Sequence, residues 1–239
     1  MNQAIIDSID TMIVNGNRLD LPSGIMSNYK QVKIVLIKAG SKYNKSGFVF
    51  PSDAQVFKDR LTGGEKIDDK RKYQLFETPE LTAQNMVDWL DVDHSHTVLE
   101  PSAGKGRLVH AVVRNCKSVT MVELNAEHEV DLEQFTHADE RNLIVGDFLD
   151  QRPDQLGMFD RIIMNPPFTK GQDMKHIKHA TRFLESGGVM VAIMSDSEKN
   201  YNYFNDKDNY ANSRYFHLTE GTFKASGTMV KTAMWVYYK

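Results

Sequence analysis

A doubly wound α/β fold on a parallel sheet is predicted by three features of this 239-residue sequence. From residue 97 onward, short β-branched runs alternate with stretches long enough for helices. The first run ends in a loop with glycines at 104 and 106 that leads straight into a helix. The second run closes on a carboxylate about twenty residues later, a spacing suited to a ribose contact. A smaller α+β portion precedes this region.

In that first portion, Ile5, Ile6, Ile9, Met12 and Ile13 recur at helical spacing, so one amphipathic helix is expected to run on through Ile13 until Gly16 stops it. Tyr29, Val32, Val35, Leu36 and Ala39 suit a second helix closed by Gly40, although their β-branched content also suits a strand. Residues 42–44 and 48–50 read as a hairpin turning at Lys45-Ser46-Gly47. Pro51-Ser52-Asp53 reads as the cap of a helix that reaches Leu61 and ends at Gly63-Gly64. Residues 64–72 are dense in charge and lack periodicity. They divide an extension, 1–72, from a main domain, 73–239. The extension reads either as a small nucleic-acid-binding module or as a packing element.

In the main domain, residues 97–100, 119–123, 143–145, 161–164 and 188–194 are the expected parallel strands. Residues 107–114, 126–135 and 173–184 are the crossover helices, and right-handed crossovers wind such a sheet on both faces. Residues 215–218 and 233–238 add two strands, the last pair partly antiparallel, for a sheet of seven.

Composition sets broad limits. A content of 41% hydrophobic and 26% charged residues with a net charge of −3 is that of an ordinary globular protein. The lone Cys116 excludes an internal disulfide, and neither a signal-peptide pattern nor a bilayer-spanning apolar run is seen, so the expected setting is cytoplasmic with no membrane partner. Residues 1–75 carry twelve Lys or Arg against eight Asp or Glu, whereas the rest of the chain is acidic. A basic portion on an acidic body is compatible with a phosphate-rich partner and equally with a solvated lysine face.

The chemistry concentrates at the strand ends. Asn165-Pro166-Pro167-Phe168 follows the fourth run. An amide oxygen and a proline-fixed carbonyl offer two acceptors to one amine, beside a ring on which a planar base can stack. Alone, Asn-Pro-Pro is also a plain turn. Glu100-Pro101-Ser102-Ala103-Gly104-Lys105-Gly106 is the loop after the first run. Glu123, followed by Leu124, is placed for ribose hydroxyls, and Asp147 with Phe148 for an adenine amine and ring.

In this order, these motifs resemble those of class I S-adenosylmethionine-dependent methyltransferases. Within that group they resemble the enzymes that methylate adenine N6 in DNA, including stand-alone phage and mobile-element types. The resemblance covers residues from about 74 to 239. It implies a Rossmann-like seven-stranded sheet and S-adenosyl-L-methionine as cofactor, with Thr78 and Pro79 at its methionine end, the 100–106 loop around it, Glu123 and Leu124 at the ribose and Asp147 with Phe148 at the adenine. It also implies base flipping and direct in-line transfer. Phe168 would stack on the extruded base while Asn165 and the Pro166 carbonyl accept the amine hydrogens, with no strong general base.

The long target-recognition domain of larger DNA enzymes has no counterpart here. Specificity is therefore expected to be short, relaxed, or supplied by a separate specificity subunit or a homodimer. Residues 195–215 interleave Tyr201, Tyr203, Tyr210 and Tyr215 with Asn and Lys, and either line a target cleft or form an exposed loop. His94 and His96, with Asp91 and Asp93, have no cysteine or histidine partner at ligand spacing. His176 and His179 lie three apart on the expected helix that carries Asp173, where a solvated or nucleic-acid-facing helix surface is the expected reading rather than a metal site. Rival acceptors are an RNA base amine and a protein glutamine. The rival of another class is a catalytically silent nucleic-acid-binding subunit.

Overall fold

The computed structural model describes residues 2–24, 26–44, 47–50, 52–63, 76–135 and 141–239. The turn at 45–46, the charged segment 64–72 and the boundary at 72/73 lie outside the described residues. The chain divides into two compact units, Met1–Leu75 and Phe76–Lys239.

In the first unit, helix α1 (Gln3–Asp10) begins at Asn2, whose side chain accepts from the Ala4 N–H. The helix does not reach Ile13 as its periodicity suggested. It ends at Thr11, and strands β1 (Ile13–Asn15) and β2 (Arg18–Asp20) form an antiparallel hairpin. Asn15-Gly16 decides this, because Gly16 sits at φ +60°, a turn conformation that glycine adopts without strain. Helix α2 (Tyr29–Lys38) follows, then strands β3 (Lys42–Asn44) and β4 (Gly47–Val49), and helix α3 (Ala54–Thr62) capped by the Asp53 side chain. The sheet order is β1-β2-β4-β3, and Ile9, Leu19, Leu36, Phe48, Phe57 and Leu61 fill the core beneath it.

The second unit opens with helix α4 (Glu80–Leu90) and strand β5 (Thr97–Glu100). There follow α5 (Arg107–Val112), β6 (Ser118–Glu123), α6 (Glu129–Glu133), β7 (Arg141–Val145), α7 (Pro153–Leu156), β8 (Phe159–Met164), α8 (Gln172–Ala180), β9 (Leu184–Ser195), α9 (Glu198–Phe204), β10 (Ser213–His217) and β11 (Thr232–Tyr238). Among the described residues these strands form one seven-stranded sheet in the order β7-β6-β5-β8-β9-β11-β10. Pairing is parallel from β7 to β9, and β11 runs antiparallel between β9 and β10. All seven strands expected from the sequence are present.

Neighbouring residues of one strand serve opposite faces. Met121, Ile163, Val191 and Ile193 pack with α4 and α5, while Val122, Ile162, Met190 and Ala192 pack with α8. The chain runs outward from β5 in both directions, to β6 on one side and β8 on the other. That reversal opens a crevice at the carboxyl ends of the strands, the usual ligand position in such sheets. Among the described residues no helix is long and apolar enough to cross a membrane.

Candidate active site

At the end of β8, the Asn165 side chain is pinned from the segment ahead of α4. Its Nδ2 donates to the Phe76 carbonyl at 2.9 Å and to the Thr78 hydroxyl at 3.1 Å. A carbonyl oxygen only accepts, so these bonds fix which end of the amide is which. The opposite end, Oδ1, is buried and has no hydrogen-bond partner. An orphaned buried acceptor costs about 1–3 kcal/mol, a cost that a ligand donor would remove. Pro166 is buried behind it and Pro167 half-buried. Phe168, 9% exposed, does not present an open ring. Phe76 lies nearly parallel to it (centroids 6.5 Å, 10°) and Phe223 meets it edge-on (6.3 Å, 90°).

At the ends of β5 and β6, two glutamates hold the glycine loop. Glu123 is 7% exposed and accepts from the Gly104 N–H through Oε2 and the Asn125 N–H through Oε1, both at 2.7 Å. His128 lies 3.3 Å behind it, and Leu124 beside it is exposed. Pro101 and Ala103 are buried, and the Ala103 N–H donates to the Val122 carbonyl. Gly106 adopts φ +83° at the start of α5, where a Cβ would collide with the Phe135 ring. The Ser102 hydroxyl is buried without a partner. Glu100, 1% exposed, accepts from the Ser102 N–H at 2.9 Å. Burial pushes its carboxyl up to about 8 against the pull of that bond, with the Glu123 carboxylate adding to the rise.

After β7, Asp147 accepts from the Leu149 N–H at 2.8 Å. Phe148 is only 2% exposed, its ring packed among His176, His179 and Phe183, so its faces are covered by protein. Burial lowers the pKa of His176.

The sequence-derived residues thus gather at adjoining strand ends: Glu100 to Gly106 after β5, Glu123 and Leu124 at β6, Asp147 and Phe148 after β7, Asn165 to Phe168 after β8. Thr78 joins them through its bond to Asn165, and Pro79 stands at the N-terminus of α4. Other groups were not foreseen. His128 backs Glu123, and the Phe76 carbonyl orients Asn165. Asp173, fully buried, accepts from the Ser195 N–H (2.9 Å), the Ser195 hydroxyl (2.5 Å) and Asn200 Nδ2 (3.0 Å), tying α8 to the end of β9 and to α9. No local pattern signals the roles of Phe76 and Asp173, since their partners are remote in sequence, whereas His128 lies just downstream of Glu123. The four tyrosines separate, with Tyr215 half-buried and its hydroxyl donating to Asp196. Tyr210 is buried and Tyr203 half-buried, both against Phe204, whereas Tyr201 is exposed. The imidazole of His96 serves its own loop, accepting from the Asp93 N–H.

Solved structures share this fold at low identity. A Pyrococcus horikoshii protein described as an RNA methyltransferase is 18% identical, with a TM-score of 0.55 over 70% of this chain and 87% of that one. A dimethyladenosine transferase from Plasmodium falciparum is 15% identical, with a TM-score of 0.52 over 69% and 62%. A Vibrio vulnificus protein described as the modification subunit of a type I restriction enzyme is 16% identical, with a TM-score of 0.55 over 77% of this chain and 48% of that one. The architecture in common is the Rossmann-like class I methyltransferase fold. No curated protein matches the chain.

Residues 79–214, more than half of the chain, match the family described as the methyltransferase small domain. The methyl donor of such enzymes is S-adenosylmethionine, and the residues present suit it. Carboxylates close or follow three neighbouring strands, glycines leave the loop at 104 and 106 without side chains, and Ser102 Oγ and Asn165 Oδ1 are polar atoms still lacking partners. The fold, the crevice and the matched residues together establish that this chain belongs to the methyltransferase small-domain family, as an S-adenosylmethionine-dependent methyltransferase.

Proposed function

We propose that this protein methylates the N6 amine of adenine in DNA, with the target base turned out of its stack. The observation that carries the reading is the Asn165 amide, anchored through Nδ2 and left with an unpaired buried Oδ1. An amine hydrogen satisfies that oxygen, and the Pro166 carbonyl takes the second.

In this reading Glu123, with Leu124 beside it, binds the ribose, Asp147 the adenine amine, and Thr78, Pro79, Glu100 and the 101–106 loop the methionine end. S-adenosylmethionine, when bound, supplies a methyl group already activated on a sulfonium. The chain's own residues then do the work of alignment. Oδ1 and the Pro166 carbonyl hold the acceptor nitrogen by its two hydrogens and favour a lone pair directed at the methyl group. The proton lost after transfer passes to solvent, so no strong base is needed. The incoming base stacks on Phe168 in place of one of its ring neighbours. Base–aromatic stacking is worth about 1–3 kcal/mol, against about 0.5–1.5 kcal/mol for an aromatic pair, so the exchange is affordable. Sequence specificity is short, relaxed or supplied by a separate subunit or a second copy, and the setting is cytoplasmic.

The test is transfer of labelled methyl from S-adenosylmethionine to duplex DNA, single-stranded DNA, RNA and a glutamine peptide, followed by digestion. N6-methyl-deoxyadenosine is expected. Label recovered on RNA or glutamine would reassign the acceptor and keep the amine pocket. Cofactor binding without transfer to any acceptor would point to a missing subunit, and failure to bind cofactor to a silent module.

A further inference from the structure

The carboxyl edge of the sheet divides at β8. The groups proposed for the methyl donor stand beyond β5, β6 and β7, so an acceptor reaches Asn165 from the side of β9, β11 and β10. On that side one ordered cluster has no part in the transfer step. Asp196 follows β9; its Oδ2 lies 2.9 Å from His217 Nδ1 and its Oδ1 accepts from the Tyr215 hydroxyl at 3.2 Å. His217, the last residue of β10, stacks on Tyr201 of α9 (5.8 Å, 22°). Tyr215 meets both rings edge-on, at 5.2 Å and 87° for Tyr201 and 5.4 Å and 65° for His217.

The support beneath this stack is hydrogen-bonded to buried groups. Asn200, adjacent to Tyr201 and 3% exposed, is bonded to Asp173 and to the Ser195 carbonyl. The Asp196 N–H donates to the Lys231 carbonyl at 2.8 Å. The stack itself nevertheless remains at the surface, with the His217 side chain 63% exposed and Tyr201 39% exposed. Two near-parallel rings at the surface, on a buried polar rivet, form a platform whose His217 end is the more exposed.

We propose that Tyr201 and His217 are a base-stacking shelf, on which a nucleobase next to the extruded one lies against the outer face of His217. The proposal rests on the nucleic-acid reading above. Stacking of this kind is sequence-tolerant, so the shelf adds affinity without specificity. A base inside a duplex has no free face, so the shelf favours single-stranded substrate.

The experiment measures binding of the full chain to single-stranded oligonucleotides by anisotropy, with 2-aminopurine beside a lone adenine reporting stacking. His217→Ala is expected to weaken binding about 5- to 100-fold and to lose the 2-aminopurine quench. Tyr201→Ala should do so to a smaller degree, and His217→Phe should restore both signals, with S-adenosylhomocysteine affinity and melting temperature unchanged throughout. Wild-type affinity in both alanine variants would sink the shelf while leaving the nucleic-acid reading intact. Binding by His217→Phe as weak as that of His217→Ala would replace stacking with imidazole charge and equally overturn it. If the wild-type chain binds neither single-stranded DNA nor RNA, the shelf and the nucleic-acid reading fall together.

Discussion

The acids beyond β5, β6 and β7 and the amide beyond β8 treat their acceptor oxygens in opposite ways. Beyond β5, β6 and β7 the carboxylates are already engaged: Glu123 accepts two backbone N–H groups, Asp147 caps the turn that follows it, and Glu100 holds Ser102. Beyond β8 the amide oxygen of Asn165 is engaged by nothing. The first side is therefore a receptor whose shape depends on the same acids proposed to hold the ligand. The second keeps one acceptor for a group that arrives only with the substrate. Changes on the first side should cost binding, and changes on the second should cost rate.

The sharpest break is Asn165→Ala. We expect kcat to fall by about 10²–10³-fold or more, the scale of losing a preorganised polar contact in the transition state. Calorimetry with S-adenosylhomocysteine should meanwhile return near wild-type affinity. A variant that still transfers methyl at the normal rate would remove Asn165 from the chemistry.

Glu123→Ala should do the reverse. It frees the N–H groups of Gly104 in the glycine loop and of Asn125 after β6, and hydrogen bonds to a charged partner are worth about 1.5–3 kcal/mol each. Cofactor affinity should drop by about 10–100-fold, with a smaller loss for Asp147→Ala. Unchanged affinity in Glu123→Ala would dissolve the distinction between the two sides.

Glu100 supplies a pH test. An ordinary glutamate ionises near 4.5, whereas burial holds this one protonated up to about 8. Between those values the unfolded chain has released a proton that the folded chain retains. Stability should therefore fall as pH rises from about 4.5 to about 8, with no further loss from this group above that. In Glu100→Gln the difference in melting temperature between pH 5.5 and pH 8.5 should shrink; an undiminished difference would assign the dependence to other groups. The smallest effect is expected from Thr78→Val, which leaves the Phe76 carbonyl as the remaining anchor of Asn165. A few-fold loss in both kcat and cofactor affinity is expected, since Thr78 anchors Asn165 and stands at the proposed methionine end; constant cofactor affinity would remove it from the cofactor side.

The five inner strands were legible because they are buried on both faces, so their apolar runs are continuous and bounded by polar turns, while the edge strands β7 and β10 are only partly buried. Residues 1–20 misled for a physical reason. Ile9, Met12 and Ile13 keep helical spacing, but the positive φ available at Gly16 lets the chain turn back as a hairpin that buries Leu19. At the site, residue types and their order were readable, but their states were not. The orientation of the Asn165 amide depends on a carbonyl 89 residues away, and the shift of Glu100 depends on burial that no local pattern encodes. Tyr210 looked like part of a polar loop, yet its ring packs on Trp235.

Strand β9 has a consequence for how the chain is made. Residues 188–194 are buried without interruption, and the strand pairs with β8 on one edge and β11 on the other. β8 leaves the ribosome before β9 does, but β11 begins only at Thr232. Until then the second edge of an uncharged, β-prone segment lacks its partner, the circumstance in which nascent chains pair with one another. Soluble yield should therefore depend on the interval between synthesis of β9 and β11, and slow codons placed in that interval should lower it.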